Sequence, residues 1–597
     1  MMRSTSRSFL ASFGMLIVCL PAVSGAQSIV SVEKVSKNQL GIRGNDDSGS
    51  PAICANRPRV VFQSRARNLV QGDNNGVGDV FLRRGATDAV IRISENRLGV
   101  GGDGRSTNPS ITPTAPGGLF AVLFESLASN LVRRSDLQDT NGLRDIFISV
   151  PTRNFTERVS VGPNLAEANG ASFEPSATLV PEPNRILVAY RSLASNLVTG
   201  DENSVSDIFL ATILNPKEDG SFLESGFSTL RASSAFGGGD SNGASFRPRV
   251  SRDGSKVIFE SDATNLVSGN LFSGTTPTYR QVYLYDVATN TTELISKVTN
   301  GTPGDAASGA ASLNFSGTVV AYVTAARNIL SDGRTAVDGA VQIVRYDVRT
   351  GVSTRVNVAA DGSPGNGTQA EAVAADLDAT GRFVAFSDGS SNVVPADTNG
   401  VPDVFLFDAE GGAVVRVSES ALGVEANAGS AEAVLARGRF NADDLSVLFS
   451  SNASTLIADD SGNAKDVFAT RLTVPPRTLS KNTSLEVPPD TELEGSDVTF
   501  TAESFNTASN AFIGSNSVSA ATRRQTFYDI RITREGRVGR AADNRRKLTK
   551  RNEIAFKRLK SGTYVAKYRV LVKRGTKIVS KTKFSPPQRF SKDDVET

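Results

Sequence analysis

The residues best placed to do chemistry are acids and amides at fixed spacing. The pattern D-x-N-G-x-x-D occurs as Asp73, Asn75 and Asp79; as Asp139, Asn141 and Asp145; and as Asp397, Asn399 and Asp403. Asp201, Asn203 and Asp207 form a fourth copy in which Ser204 replaces the glycine. Oxygen ligands at alternate positions around a tight bend are what a hard cation such as calcium requires of a loop. The same residues also make good turns, because Asx side chains bond their own backbone and Asn-Gly favours a hairpin. Both readings stand at this level. No glutamate follows twelve positions on, so the loop is not an EF-hand.

Other chemistry is narrowed by what the chain lacks. It contains no histidine, which excludes the Ser-His-Asp triad, Cys-His pairs and histidine-ligated metals. Gly99, Gly101 and Gly104 spell GxGxxG, and Gly239, Ser241 and Gly243 spell GxSxG, but both lie in connections with no helix following. Catalysis by a pair of carboxylates needs no histidine and survives. Acids at a channel mouth, outside the repeat consensus, would favour an enzyme; acids in repeat register alone favour binding. The sequence reading is a non-catalytic binding or scaffold protein, with a carboxylate-dependent glycan hydrolase as the alternative.

The motif recurs because its surroundings recur. An anchor follows a short apolar strand at Asn68, Asn130, Asn196, Asn265, Asn328, Asn392 and Thr455, in steps of 62, 66, 69, 63, 64 and 63 residues. Seven units at one period mean an array of like supersecondary units. Each unit reads as four short strands: a weak first strand, an apolar second such as Phe120–Phe124, a D-V-F-L type third, and a fourth such as Ala89–Ser94. Radial blades bury such sheets on one another. The seventh unit stops after DVFATRLTV, while SIVSVEKVS near the start matches a fourth strand. The fold class expected is therefore all-β: a seven-bladed β-propeller closed by residues 28 to 36, followed by a β-sandwich. The two long connections of every unit emerge on one face, which is the expected working surface.

PRVSRDGSKVIFESDATNL and VYLYDVATNTTELIS, from Pro248, resemble the TolB-like (WD-repeat-like) propeller repeat. The resemblance covers residues 28 to 474 and implies the fold and export; its units are longer than those of TolB. Residues 1–26 read as a secretory signal, with Arg3 and Arg7 before an apolar run and small residues at Ser24 and Ala26. This predicts a periplasmic or secreted protein with no transmembrane segment after cleavage, and Cys54 as its one remaining cysteine. Residues 27–474 form the propeller, 475–495 a linker, and 496–597 a basic domain. There LKSGTYVAKYRV, with Leu559, Gly562 and Tyr564, resembles a fibronectin type III or Ig-like sandwich.

Charge is divided unevenly. From residue 476 onward there are 25 Lys and Arg against 13 Asp and Glu, a net of +12, which leaves about −11 on residues 27–475. The basic part suits acidic polysaccharide, phosphate-bearing envelope polymers or, last, DNA; the alternatives are a solvated face or a domain docked on its own acidic propeller. The expected partners are an envelope or extracellular protein or an acidic polysaccharide, not nucleic acid.

Overall fold

The computed structural model describes residues 27–473 apart from short loop stretches, and five strands between residues 525 and 591. The secretory segment 1–26 and the linker lie outside the described residues. Seven four-stranded antiparallel sheets occupy residues 48–92, 106–158, 172–231, 245–294, 308–355, 375–416 and 430–473 together with 28–34. These are blades 1 to 7. In blade 1 the order from the axis outward is Ser48–Ile53, Arg59–Ser64, Asp79–Arg84 and Ala89–Arg92. Each inner strand touches the inner strands on both sides, so the seven form a closed ring.

The residues of each strand follow from its place in the blade. A third strand is covered by a neighbouring blade on each face, so it reads as a near-continuous apolar run; Asp403–Asp408 is buried along its whole length. Outer strands meet solvent and alternate, as in Thr291–Leu294 and Val352–Arg355. Second and third strands are locked by paired aromatic rings in six blades, from Phe62 on Phe81 at 5.9 Å to Phe449 on Phe468 at 5.8 Å. Each pair contributes about 0.5–1.5 kcal/mol beyond the area it buries. Cys54 is buried, with its thiol 3.4 Å from the Thr114 hydroxyl.

Blade 7 takes its outer strand from the beginning of the chain. Ser28–Lys34 runs antiparallel to Asp466–Thr473, pairing Ser28 with Thr473 and Lys34 with Phe468. The ring thus closes as its sequence predicts, with no open sheet edge at the seam. No helix among the described residues is long and apolar enough to cross a membrane.

In the C-terminal part, Gln525–Arg534, Asn544–Thr549, Thr563–Arg574, Lys577–Lys581 and Gln588–Ser591 form one antiparallel sheet. The sequence predicts strands here from Val498, Thr526, Asn552, Tyr564 and Thr576, and those from Thr526, Tyr564 and Thr576 coincide with members of this sheet. Those expected from Val498 and Asn552 lie outside the described residues.

Candidate functional site

Each D-x-N-G-x-x-D copy folds into one compact knot at the start of a third strand. In blade 6, Asn399 Nδ2 donates to Asp403 Oδ2 at 2.7 Å and to the Ala426 carbonyl at 3.1 Å, while its Oδ1 accepts the Val401 N–H. Ser418, on the adjoining outer strand, donates to the other oxygen of Asp403. Blades 1 and 3 repeat this with Asn75, Asp79 and Ser94, and with Asn203, Asp207 and Ser233. In blade 2, Asn141 bonds the Ala168 carbonyl and Ser160 bonds Asp145. The bend itself needs a left-handed residue: Gly76, Gly142 and Gly400 have φ between 66° and 75°, and Ser204 adopts 59°.

The structure brings the two acids of every copy together around a cation that sequence reasoning missed. Arg92 lies 3.2 Å from Asp73. Arg158 lies 3.7 Å from Asp139, 3.2 Å from Asp145 and 2.6 Å from Glu167. Arg231 lies 2.9 Å from Asp201 and 3.5 Å from Asp207, and Arg416 lies 3.4 Å from Asp397 and 3.7 Å from Asp403. Every one stands at the same outer-strand register, opposite the third-strand aromatic. In blade 7 that place belongs to Lys34, 2.7 Å from Asp460 and 2.6 Å from Asp466. Blade 4 has Gln281 and Leu294 instead, losing acid and base together.

In these blades several acids share one cation: three surround Arg231 in blade 3, four surround Arg416 in blade 6, and three surround Arg158 in blade 2. Asp139, Asp145 and Glu167 place their oxygens within 4.8 Å of one another around the single Arg158 guanidinium, and this triad is able to hold a metal ion. The Asn141 and Gly142 amides lie near Asp139 but short of hydrogen-bond geometry, so both its buried oxygens lack a hydrogen bond. Burial, opposed by Arg158, pushes Asp145 up to about 6. Burial also works to raise Glu167, but the Thr140 hydroxyl and N–H and Arg158 outweigh it and hold Glu167 at about 2.

The anchor residues do a separate job. Asn130 Nδ2 donates to the Gly101 carbonyl while its Oδ1 accepts the Asp103 N–H, so the side chain imitates a strand partner for the incoming connection. Asp103 returns the bond to the Ser129 N–H. Asn68, Asn196, Asn265, Asn328 and Asn392 make the same pair of contacts. Thr455 reproduces both with one hydroxyl. The two long connections of each blade are thereby clamped together on one face.

At the channel mouth the repeat breaks. Phe173 on the inner strand Ser172–Val180 lies beneath Arg191 at 4.4 Å and Arg144 at 5.4 Å. Phe246 on Ser245–Val250 lies beneath Arg280 at 3.8 Å and Arg191 at 5.4 Å. The result is a ladder, Arg144–Phe173–Arg191–Phe246–Arg280, across blades 2 to 4. Acids outside the D-x-N-G-x-x-D motif hold it: Glu125 binds Arg144 at 2.9 Å, Glu174 binds Arg191 at 3.1 Å, and Glu260 lies 3.4 Å from Arg247. Glu125 and Glu260 are buried, and desolvation raises the pKa of Glu260. Glu174 and Arg247 sit in the left-handed region, at φ 57° and 47°. Ser50, Asn108, Ala310 and Glu432 adopt the same conformation at this register in other blades, so the bend is part of the repeat. At the registers of Phe173 and Arg191, blade 5 has only Gly309 and Val323. This variation was visible in the aligned units, once their shared residues were set aside.

No family model matches this sequence, and neither does any curated protein. Among solved structures, the chain is similar to an oligogalacturonate lyase in complex with manganese, at 10% identity and TM-score 0.40 over 76% of this chain and 98% of that one. It is similar to the Pyrococcus horikoshii acylaminoacyl peptidase at 10% identity and TM-score 0.37, over 71% of this chain and 50% of the peptidase. A Trypanosoma rangeli sialidase mutant displaying trans-sialidase activity gives 10% identity and TM-score 0.33, over 75% and 60% of the two chains. The expectation of a non-catalytic protein is corrected here. The three solved structures above are enzymes, and in this chain Glu125, Glu174 and Glu260, acids outside the D-x-N-G-x-x-D motif, stand at the channel mouth.

Proposed function

We propose that this protein is a carboxylate-dependent enzyme that hydrolyses a glycan lying across the channel mouth of blades 2 to 4. The observation that carries the reading is the loss of repeat symmetry there. At this register blades 1, 5 and 7 carry the uncharged pairs Gly49 and Gln63, Gly309 and Val323, and Ala431 and Ser450, whereas blades 3 and 4 carry Phe173 with Arg191 and Phe246 with Glu260. Glu174 and Glu260 share Arg247: its N–H donates to Glu174 at 2.8 Å, and its guanidinium lies 3.4 Å from Glu260. Glu260, whose pKa burial raises, takes the role of general acid toward the glycosidic oxygen. Glu174, 27% exposed, is the carboxylate that meets water or the sugar. Phe173 and Phe246 supply apolar surface for sugar faces. Residues 1–26 and the TolB-like repeat support export, to the periplasm or beyond the cell, and an envelope or extracellular glycan as substrate.

The test is release of reducing ends from a panel of neutral and charged polysaccharides. Glu174→Gln and Glu260→Gln should each lower turnover by about 10²–10⁴-fold with folding intact. No release by the wild type from any member, or full activity in both variants, would sink the reading.

A second reading concerns blade 2, where Asp139 keeps both buried oxygens without a hydrogen bond. A hard divalent cation, calcium first, suits Asp139, Asp145 and Glu167. Millimolar calcium should raise the melting temperature relative to chelator, and Asp139→Asn should abolish the difference. Identical melting curves with calcium and with chelator would remove calcium from the account.

A further inference from the structure

We propose that the arginine–phenylalanine ladder is a binding site for a polyanionic glycan, one whose sugars carry carboxylate or sulfate groups. The inference rests on the channel-mouth reading above and names its substrate class. Arg65, Arg105, Arg144, Arg191, Arg247 and Arg280 line the arc from blade 1 to blade 4, against the acids Glu125, Glu174, Glu260 and Asp262. Asp47 stands beside Arg65 at the place Arg105 holds in the next blade, so six guanidiniums meet five carboxylates on a propeller segment whose net charge is about −11. The arc is a basic island on an acidic ring.

The guanidiniums are placed for recognition. Arg65 and Arg105 are exposed, flank Gly78, and make no ion pair among the described residues. Arg247 is 58% exposed. Arg144 bonds Glu125 through one nitrogen, and Arg191 pairs with Glu174 at 3.1 Å without a hydrogen bond from its Nε. A guanidinium has five N–H donors in a planar fork that matches carboxylate and sulfate-like oxygens. Rings stacked between forks keep each plane fixed before a ligand arrives, which lowers the entropic cost of binding. Alternating aromatic faces and forks suit a polymer that alternates apolar sugar faces with charged groups.

The full-length chain should be titrated calorimetrically with oligogalacturonate, dextran sulfate and neutral dextran at physiological salt. Expected is binding to at least one anionic polymer and none to dextran; which polymer binds tells carboxylate from sulfate. Arg65→Glu with Arg105→Glu, and separately Arg247→Gln, should weaken that binding at least tenfold with unchanged melting. Substitution of Arg545, Arg546 and Lys547 by Glu should change it less than threefold. Binding that follows those three residues, equal binding to dextran, or full competition by duplex DNA would overturn the proposal. Glu174→Gln and Glu260→Gln separate the two readings. Binding without any cleavage by the wild type ends the catalytic reading alone. Cleavage of a neutral glycan that ignores the arginine substitutions ends this one alone.

Discussion

Replacing Lys34 by alanine is expected to destabilise the propeller by about 3–5 kcal/mol, the range for removing one partner of a buried ion pair. Lys34 is 5% exposed and is the near cation for Asp460 and Asp466, both 3% exposed; Arg43 stands off at 3.7 Å from Asp460. Without Lys34, two carboxylates face each other in the interior, and the strand they hold is the one that closes the ring. Lys34→Arg restores the cation used in the other blades and should recover most of the loss. Lys34→Ala combined with Asp460→Asn and Asp466→Asn should recover part of it. Denaturant unfolding followed by circular dichroism measures all three variants. A loss below about 1 kcal/mol for Lys34→Ala would show that strand pairing alone holds the seam.

Arg158→Met is expected to cost a similar amount at pH 7, and its cost should shrink on acidification. Arg158 is 1% exposed and serves Asp139, Asp145 and Glu167 together. The sign follows from linkage. Asp145 already sits at about 6 in the folded protein, above its ordinary 3.8. A group raised in this way favours folding below its unfolded value, and that contribution is lost as pH rises through the folded value. Losing the guanidinium raises Asp145 further, so the deficit of the variant is largest above pH 6 and recedes toward pH 4. Glu167, lowered from its ordinary 4.5 to about 2, favours folding above 4.5, and that contribution fades as pH falls from there to about 2, below the pH 5 to 7 comparison. Melting temperatures of both proteins at pH 5 and pH 7 decide the matter. An equal deficit at the two values would mean that Arg158 acts by packing and not by charge.

Seven blades, their order and the borrowed outer strand were legible because period and strand pattern are local properties. SIVSVEKVS carries the Lys34-Val35-Ser36 end of an outer strand, and IRIS, ERVS, LRAS and VRVS carry its Arg-x-Ser form. That repeated Arg-x-Ser was also the available sign that each motif brings its own cation. It passed unnoticed because Arg92 stands thirteen residues beyond Asp79 and meets it only through strand pairing. The channel mouth was harder to find. Phe173, Arg191 and Phe246 occupy ordinary strand positions; Arg191 covers Phe173 within blade 3 and reaches Phe246 of blade 4 across more than fifty residues of chain. Local periodicity does not encode which side chains meet across blades; it identifies where units differ and no more.

The seam has a kinetic consequence as well. Ser28 meets Thr473 across a separation of 445 residues, so the earliest strand of the ring waits for the latest. Contacts so distant in sequence form slowly, because the chain between them must first be ordered. Until then blade 7 is a three-stranded sheet with a bare edge, a surface on which a second, unfinished molecule can settle. Assembly at high concentration should therefore fail by swapping first strands between chains, which makes dilution, more than temperature, the condition that rescues refolding.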